Sequence, residues 1–265
     1  INHMQANKRT KNIINKMNYA FVVQARLGST RLPGKILKPF YGNQSILDLM
    51  VHKLSAISNI PVIIATTNSV INEPIEKKAL ALGVKCFRGE ENDVLKRFID
   101  VAEYFDIQGI FRICSDNPFL DVHAARQLVE IAMKSCNDYI SFDIDGTPSI
   151  KTHFGFWGEF VTLDALKRVI GFTDDLLYRE HVTNYIYSHP ELFNIQWISG
   201  SPVVSKHHNI RLTIDTLEDF SVAQRIYRDL QEKRVEISIE VIVDYVRRHA
   251  EYIQLMKQQI KKNSK

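Results

Sequence analysis

Cysteine is scarce, with three in 265 residues, at Cys86, Cys114 and Cys136. The number is odd, the spacing is wide and no CxxC pair occurs. That argues against a disulfide framework and a thiolate zinc cage, and for reduced, buried thiols in a cytosolic protein. The nine histidines include no HExxH and no pair at metal-ligand spacing on a helix; His207-His208 reads as a solvated turn. No apolar run approaches the roughly 18 residues that a membrane-spanning helix requires. The N-terminus has no apolar signal-peptide core, and Ile1-Asn2-His3-Met4 reads as a cloning remnant outside the fold. Neither the G-x-x-x-x-G-K-S/T phosphate loop nor the G-x-G-x-x-G dinucleotide turn is present, so NAD is disfavoured.

What is present is an ordinary globular mixture, 45% hydrophobic and 24% charged, long enough for a substantial core. The net charge of +4 comes from the ends. Residues 1–16 carry Lys8, Arg9, Lys11 and Lys16 without an acid, and residues 251–265 carry four lysines against Glu251, leaving the body at −3. A body of that sign has no electrostatic footprint for duplex nucleic acid.

The apolar runs Tyr19–Gln24, Pro61–Ala65, Val84–Phe87, Gly109–Cys114 and Tyr139–Phe142 read as strands. Helical periodicity falls between them, over Ser45–Ser58, Glu73–Leu82, Asp93–Phe105 and Val122–Ser135. This alternation predicts an α/β fold, a mostly parallel sheet flanked by helices. Residues 143–160 break the pattern and read as an irregular insert or hairpin. Helices are then expected over Leu163–Val169 and Leu176–Ser188, and strands over Phe193–Ile198 and Ile210–Ile214. Two closing helices follow over Glu218–Leu230 and Ile239–Arg248. Residues 17–250 are expected to form one domain, with 1–16 a tail and 251–265 a basic C-terminal helix or tail.

Ligands of open α/β sheets bind beyond the carboxyl ends of the strands, and three candidate strands end in reactive residues. Gln24-Ala-Arg-Leu-Gly-Ser-Thr-Arg-Leu-Pro-Gly-Lys35 combines glycines, hydroxyls, Arg26, Arg31 and Lys35, the parts of a polyphosphate cradle. A solvated basic turn is the plain alternative. Arg112-Ile-Cys-Ser-Asp-Asn-Pro118 ends at Asp116, which could hold a divalent cation or cap a turn. Arg112, inside its strand, requires an acid or a phosphate as partner. Arg211-Leu-Thr-Ile-Asp-Thr-Leu-Glu-Asp219 ends at Asp215, with Thr216 and Asp219 opening a helix.

Together these loops resemble the bacterial cytidylyltransferases that activate acidic sugars, most closely the spore coat polysaccharide SpsF-like branch. Phe87-Arg-Gly-Glu-Glu-Asn-Asp-Val-Leu-Lys-Arg97, Tyr178-Arg-Glu-His-Val-Thr-Asn-Tyr-Ile-Tyr187 and Pro190-Glu-Leu-Phe193 fit the same branch, so that the resemblance runs from about Met17 to Arg248. It implies a glycosyltransferase-A-like (Rossmann-like) nucleotidyltransferase fold, a cytoplasmic homodimer, and transfer of CMP from CTP to an acidic sugar of the nonulosonic type, with release of pyrophosphate, for surface glycan synthesis. Carried over, Arg26, Ser29, Arg31 and Lys35 would hold the triphosphate, with Arg112 among the nucleotide-binding residues. Ala25 would lie beneath the nucleotide and Arg88 with Gly89 near the base or ribose. Asp116 and Asp215 would bind Mg²⁺, and Arg26 and Lys35 would act with them in catalysis. Glu159, Arg179, Glu180 and His181 would face the sugar.

The competing reading is a glycosyltransferase of the same fold, since Asp143-Ile-Asp145 is formally a DxD. A nucleotide-sugar donor has no γ-phosphate, however, and little need for Arg26, Arg31 and Lys35 together. A catalytically dead scaffold would be expected to lack Lys35, Asp116 or Asp215, and all are present.

Overall fold

A computed structural model of the chain describes residues 18–263; the N-terminal stretch 1–16, expected to be a tail, lies outside the described residues. In order the elements are β1 (Tyr19–Gln24), β2 (Pro39–Tyr41), β3 (Gln44–Ser45), α1 (Ile46–Ser55), β4 (Val62–Thr67), α2 (Glu73–Ala81), β5 (Lys85–Gly89) and α3 (Val94–Tyr104). They continue as β6 (Gly109–Cys114), α4 (Val122–Ala132), β7 (Tyr139–Ile144), β8 (Thr147–Pro148), β9 (Glu159–Thr162), α5 (Leu163–Phe172), α6 (Leu176–Glu180) and α7 (Asn184–Ser188). The chain closes with β10 (Ile195–Ser199), α8 (Leu217–Glu232), α9 (Ile239–Arg247) and α10 (Ala250–Asn263). Among the described residues no helix is long and apolar enough to cross a membrane.

The main sheet has the order β10-β7-β9-β6-β1-β4-β5, with β8 on β7. β1 pairs in parallel with β4 and β6, and β4 with β5, as the crossover helices require. β1 shows why the sheet is covered on both faces. Phe21 and Val23 point into a core built with α1, α4 and α8–α10, while Ala20 and Val22 point into a second core with α3 and α5. Helix starts are written locally: Ser45 and Asp48 form a capping box at α1, as do Thr216 and Asp219 at α8.

The second half departs from expectation in particular ways. Within the expected irregular insert, β9 runs antiparallel between β6 and β7 and bonds to both. The helix expected over 176–188 is interrupted, because Val182 and Thr183 turn inward and the Thr183 hydroxyl donates to Glu159 at 2.9 Å. Residues 210–214 are not a strand. Ile210, Leu212 and Ile214 are buried in strand-like alternation, but the Leu212 and Thr213 amides donate to the His153 carbonyl and the Ile214 amide to the Asp116 carbonyl. The C-terminal segment is helix α10, held to the core by Tyr252 and Met256.

Candidate active site

The loop after β1 is fixed by a side chain that sequence reasoning did not single out. Buried Asn72 accepts the Leu27 amide at 2.8 Å and donates to the Thr67 hydroxyl at 2.5 Å, tying the loop to the end of β4. Gly34, at φ 69°, adopts the left-handed conformation that glycine takes without strain, and its amide closes the loop on the Leu27 carbonyl. The fold thus opens a cavity of about 250 Å³ at the ends of β1 and β6, lined by Arg26, Ser29, Arg31, Lys35 and Arg112 together with Asp116 and Asp215.

Lys35 is buried and its ammonium bridges the site: it donates to the Ile214 carbonyl and lies 3.4 Å from Asp116 and 3.7 Å from Asp215. Asp215 also meets Arg31 at 3.1 Å and Arg211 at 2.6 Å. Burial alone would raise the Asp215 pKa, but Lys35, Arg211 and Arg31 outweigh it and hold the carboxyl below its ordinary value. Segments separated by about a hundred residues of sequence therefore supply an ionised carboxylate, a second one beside it, and cations able to neutralise an oligophosphate. Among the described residues no group of three or more His, Cys, Asp or Glu side chains could hold a metal ion unaided. A cation here would rest on Asp116 and Asp215 with oxygens from its substrate, the partial cage that magnesium favours.

Arg112 does have the acid its burial demands. Register on the sheet sets it opposite Glu159 of β9, and the two ion-pair directly. The Tyr139 hydroxyl and the Thr183 hydroxyl donate to the same carboxylate. Glu159 is 2% exposed and fully occupied, so the expectation that it faces a sugar is corrected: it is the buried counterion of Arg112. Arg179 is likewise committed, to Asp93 at 3.4 Å and Asp174 at 3.0 Å, and exposed Glu180 reaches neither site cavity. Arg88 donates to the Thr67, Asn68 and Ser69 carbonyls and to Glu76, which clamps the turn after β4, and it does not line the cavity. Gly89 packs under Arg97, and Ala25 is buried in the core.

His181 is the one residue expected at the sugar that lines a cavity. This second space, about 370 Å³, shares Cys114, Asp116 and Asp215 with the first and extends to Asn117, Lys151, His153, Trp157 and Thr213. The carboxylates therefore stand in a common wall between two cavities. Lys151 and His153 lie in the segment whose pattern predicts only irregular structure, so no periodicity marks them. Gly155, at φ 68°, faces Asn117 so closely that a side chain there would collide with its amide. Cys86 and Cys114 are half-buried and Cys136 is exposed. The thiol of Cys114 is pushed up to about 11, chiefly by burial, and so is not a nucleophile at neutral pH. Asp143 and Asp145 line neither cavity. Asp143 accepts the Gly146 amide in a tight turn and Asp145 meets His208, which removes the DxD reading.

A cytidylyltransferase family profile matches residues 20–259. The chain is 32% identical over 237 residues to the spore coat polysaccharide biosynthesis protein SpsF of Bacillus subtilis, covering 86% of this chain and 94% of that one. It is also 32% identical over 135 residues to a 3-deoxy-manno-octulosonate cytidylyltransferase of Blochmanniella pennsylvanica, covering 50% of this chain and 51% of that one. The solved structure of a cytidylyltransferase from Leptospira borgpetersenii superposes with a TM-score of 0.77 at 28% identity, covering 90% of this chain and 97% of that one.

Proposed function

The chain belongs to the cytidylyltransferase family, and on that premise we propose that it transfers CMP from CTP to an acidic sugar with release of pyrophosphate. The observation that carries the reading is the pair of cavities sharing Asp116 and Asp215, one walled by Arg26, Arg31 and Lys35, the other by polar side chains. In this reading the cationic cavity takes CTP. Arg26, Arg31 and Lys35 neutralise the triphosphate and Ser29 donates to it, while Arg112 supports its floor. Asp116 and Asp215 would hold magnesium, which when bound would supply charge neutralisation at the phosphates.

An acceptor hydroxyl in the second cavity attacks the α-phosphorus. The new P–O bond forms as the bond to the pyrophosphate oxygen breaks, pyrophosphate leaves and the hydroxyl proton passes to solvent water. No covalent enzyme intermediate is needed, and the chain contributes position and charge. The acceptor we propose is a nonulosonic acid of the pseudaminic, legionaminic or sialic type, destined for a surface glycan. A cytoplasmic homodimer belongs to the same proposal.

The test is pyrophosphate release with Mg²⁺, crossing CTP, UTP, GTP and ATP against pseudaminate, legionaminate, N-acetylneuraminate, 3-deoxy-manno-octulosonate and neutral sugars. Release only with CTP and an acidic sugar is expected, and Lys35→Ala or Asp116→Ala should abolish it without unfolding the chain. Silence with every sugar, or release with neutral sugars alone, overturns the reading.

A further inference from the structure

Resting on that reading, we infer that Lys151 and His153 are the residues that select the acceptor, Lys151 by pairing with its carboxylate and His153 by donating a hydrogen bond from Nε2. An anionic acceptor needs a cation that the protein has not already used. Of the arginines near the shared carboxylates, Arg26 and Arg31 line the first cavity and serve the triphosphate in that reading, and the others are spent: Arg112 on Glu159, Arg179 on Asp93 and Asp174, and Arg211 on Asp215 and Asp219. Lys151 is different. Among the described residues it has no ion pair; its ammonium lies 5.9 Å over the Tyr187 ring, and it is the one Lys or Arg side chain lining the second cavity.

The role of His153 follows from its neighbour. Its Nδ1 lies 3.0 Å from an Arg211 nitrogen, and a guanidinium only donates, so Nδ1 accepts and the ring proton sits on Nε2. Arg211 is itself locked by bidentate contact with Asp219 at 2.9 and 3.1 Å, so the tautomer is fixed by a buried, immobile group. Burial and the Arg211 charge both lower the His153 pKa, which keeps the imidazole neutral. Nε2–H has no hydrogen-bond partner among the described residues, and the ring lines the acceptor cavity. Asn117, which lines the same cavity, has an amide oxygen with no donor among the described residues.

The variant that isolates the donor is His153→Asn, whose side-chain oxygen can still accept from Arg211 while the Nε2–H is lost. Lys151→Met, at an exposed position, tests the charge without touching the core. Kinetics use the full chain and whichever acidic sugar of the panel above drives release in the unsubstituted enzyme. We expect His153→Asn to raise KM for that sugar roughly tenfold, the scale of one lost hydrogen bond to a charged group, and Lys151→Met roughly two- to fivefold, the scale of an exposed ion pair, with KM for CTP within about twofold and the unfolding midpoint unchanged. Unaltered sugar KM in a folded His153→Asn and a folded Lys151→Met overturns the inference while leaving the cytidylyltransferase reading intact. Equal losses for CTP and sugar overturn it as well, since they mark a merely structural role. If the unsubstituted chain responds to no sugar, the parent reading fails first and this inference with it.

Discussion

At Glu159 a single carboxylate answers three donors, from Arg112, Tyr139 and Thr183. Burial, then the nearby Glu159 charge, raise Tyr139 well above its ordinary value, so its hydroxyl stays protonated and available as a donor. Removing the acid alone leaves a buried guanidinium uncompensated. Glu159→Gln is therefore expected to cost about 3–5 kcal/mol, read as a lowered urea midpoint. The double variant Arg112→Met with Glu159→Gln should recover most of that loss, since the amide oxygen still accepts from Tyr139 and Thr183, although it removes Arg112 from the cavity floor. If the single and double variants are equally destabilised, the ion pair is not what holds this corner together. The sequence showed that Arg112 needs a partner. It could not show which, because the partner lies 47 residues away and is brought opposite only by the antiparallel register of β9. The cationic loop was legible for the converse reason: Arg26, Arg31 and Lys35 are close in sequence and remain close in space.

Among the elements, α10 matters beyond packing. Its Asn263 accepts from Arg31 at 2.6 Å, and its buried Gln259 accepts from the Thr216 hydroxyl at 3.3 Å, next to Asp215. The helix thereby touches both the loop after β1 and Thr216, the residue that follows Asp215. A chain ending at His249 loses the burial of Tyr252 and Met256, worth roughly 1.5–3 kcal/mol each, so chemical denaturation should show a marked loss of stability. Asn263→Ala should leave stability alone and raise KM for CTP about two- to threefold through Arg31. An unchanged KM would mean that Arg31 needs no such brace. Composition pointed to a basic helix or tail here, but not to its docking, since lysine-rich termini are usually solvated. Strands β1, β4 and β6 were readable because unbroken apolar runs buried on both faces leave few alternatives. The false strand at 210–214 has instead an apolar residue at every second position, a pattern as strand-like as any, but its amides find acceptors at His153 and Asp116 rather than on a neighbouring strand.

For the molecule as a whole, acid stability follows from carboxylates held below their ordinary values. Burial opposes the shift at Asp48, where Ser45 and Lys78 overcome it, and at Asp215, where Lys35, Arg211 and Arg31 do so; at Glu240 the Ser201 hydrogen bond is the main cause. A carboxyl whose native pKa is depressed stabilises the fold fully above its unfolded pKa of roughly 4, and loses that contribution as pH falls through the native value. Urea midpoints should therefore be nearly flat from about pH 7 to 5 with respect to these groups, and fall below about pH 4. Asp48→Asn should flatten part of that fall, and an unchanged acid limb would show that this carboxylate contributes nothing to it. The wound α/β plan was legible from alternation alone, since it depends on local periodicity. The second cavity was not, because Asn117, the pair Lys151 and His153, and Thr213 come from three separate segments without regular spacing.

The position of β9 also constrains the order in which the sheet can be assembled. Among the described residues every strand that pairs with β7, namely β8, β9 and β10, follows it in the chain, and β9 alone joins β7 to β6. A nascent chain emerging from its N-terminus can complete β1, β4, β5 and β6 from residues up to Cys114, as one run of parallel crossovers. β7 then emerges with no earlier strand to receive it, its edge unpaired until residues 159–162 return between it and β6. The same late closure aligns Glu159 with Arg112, so the buried charge inside β6 is neutralised only when the two halves of the sheet become one.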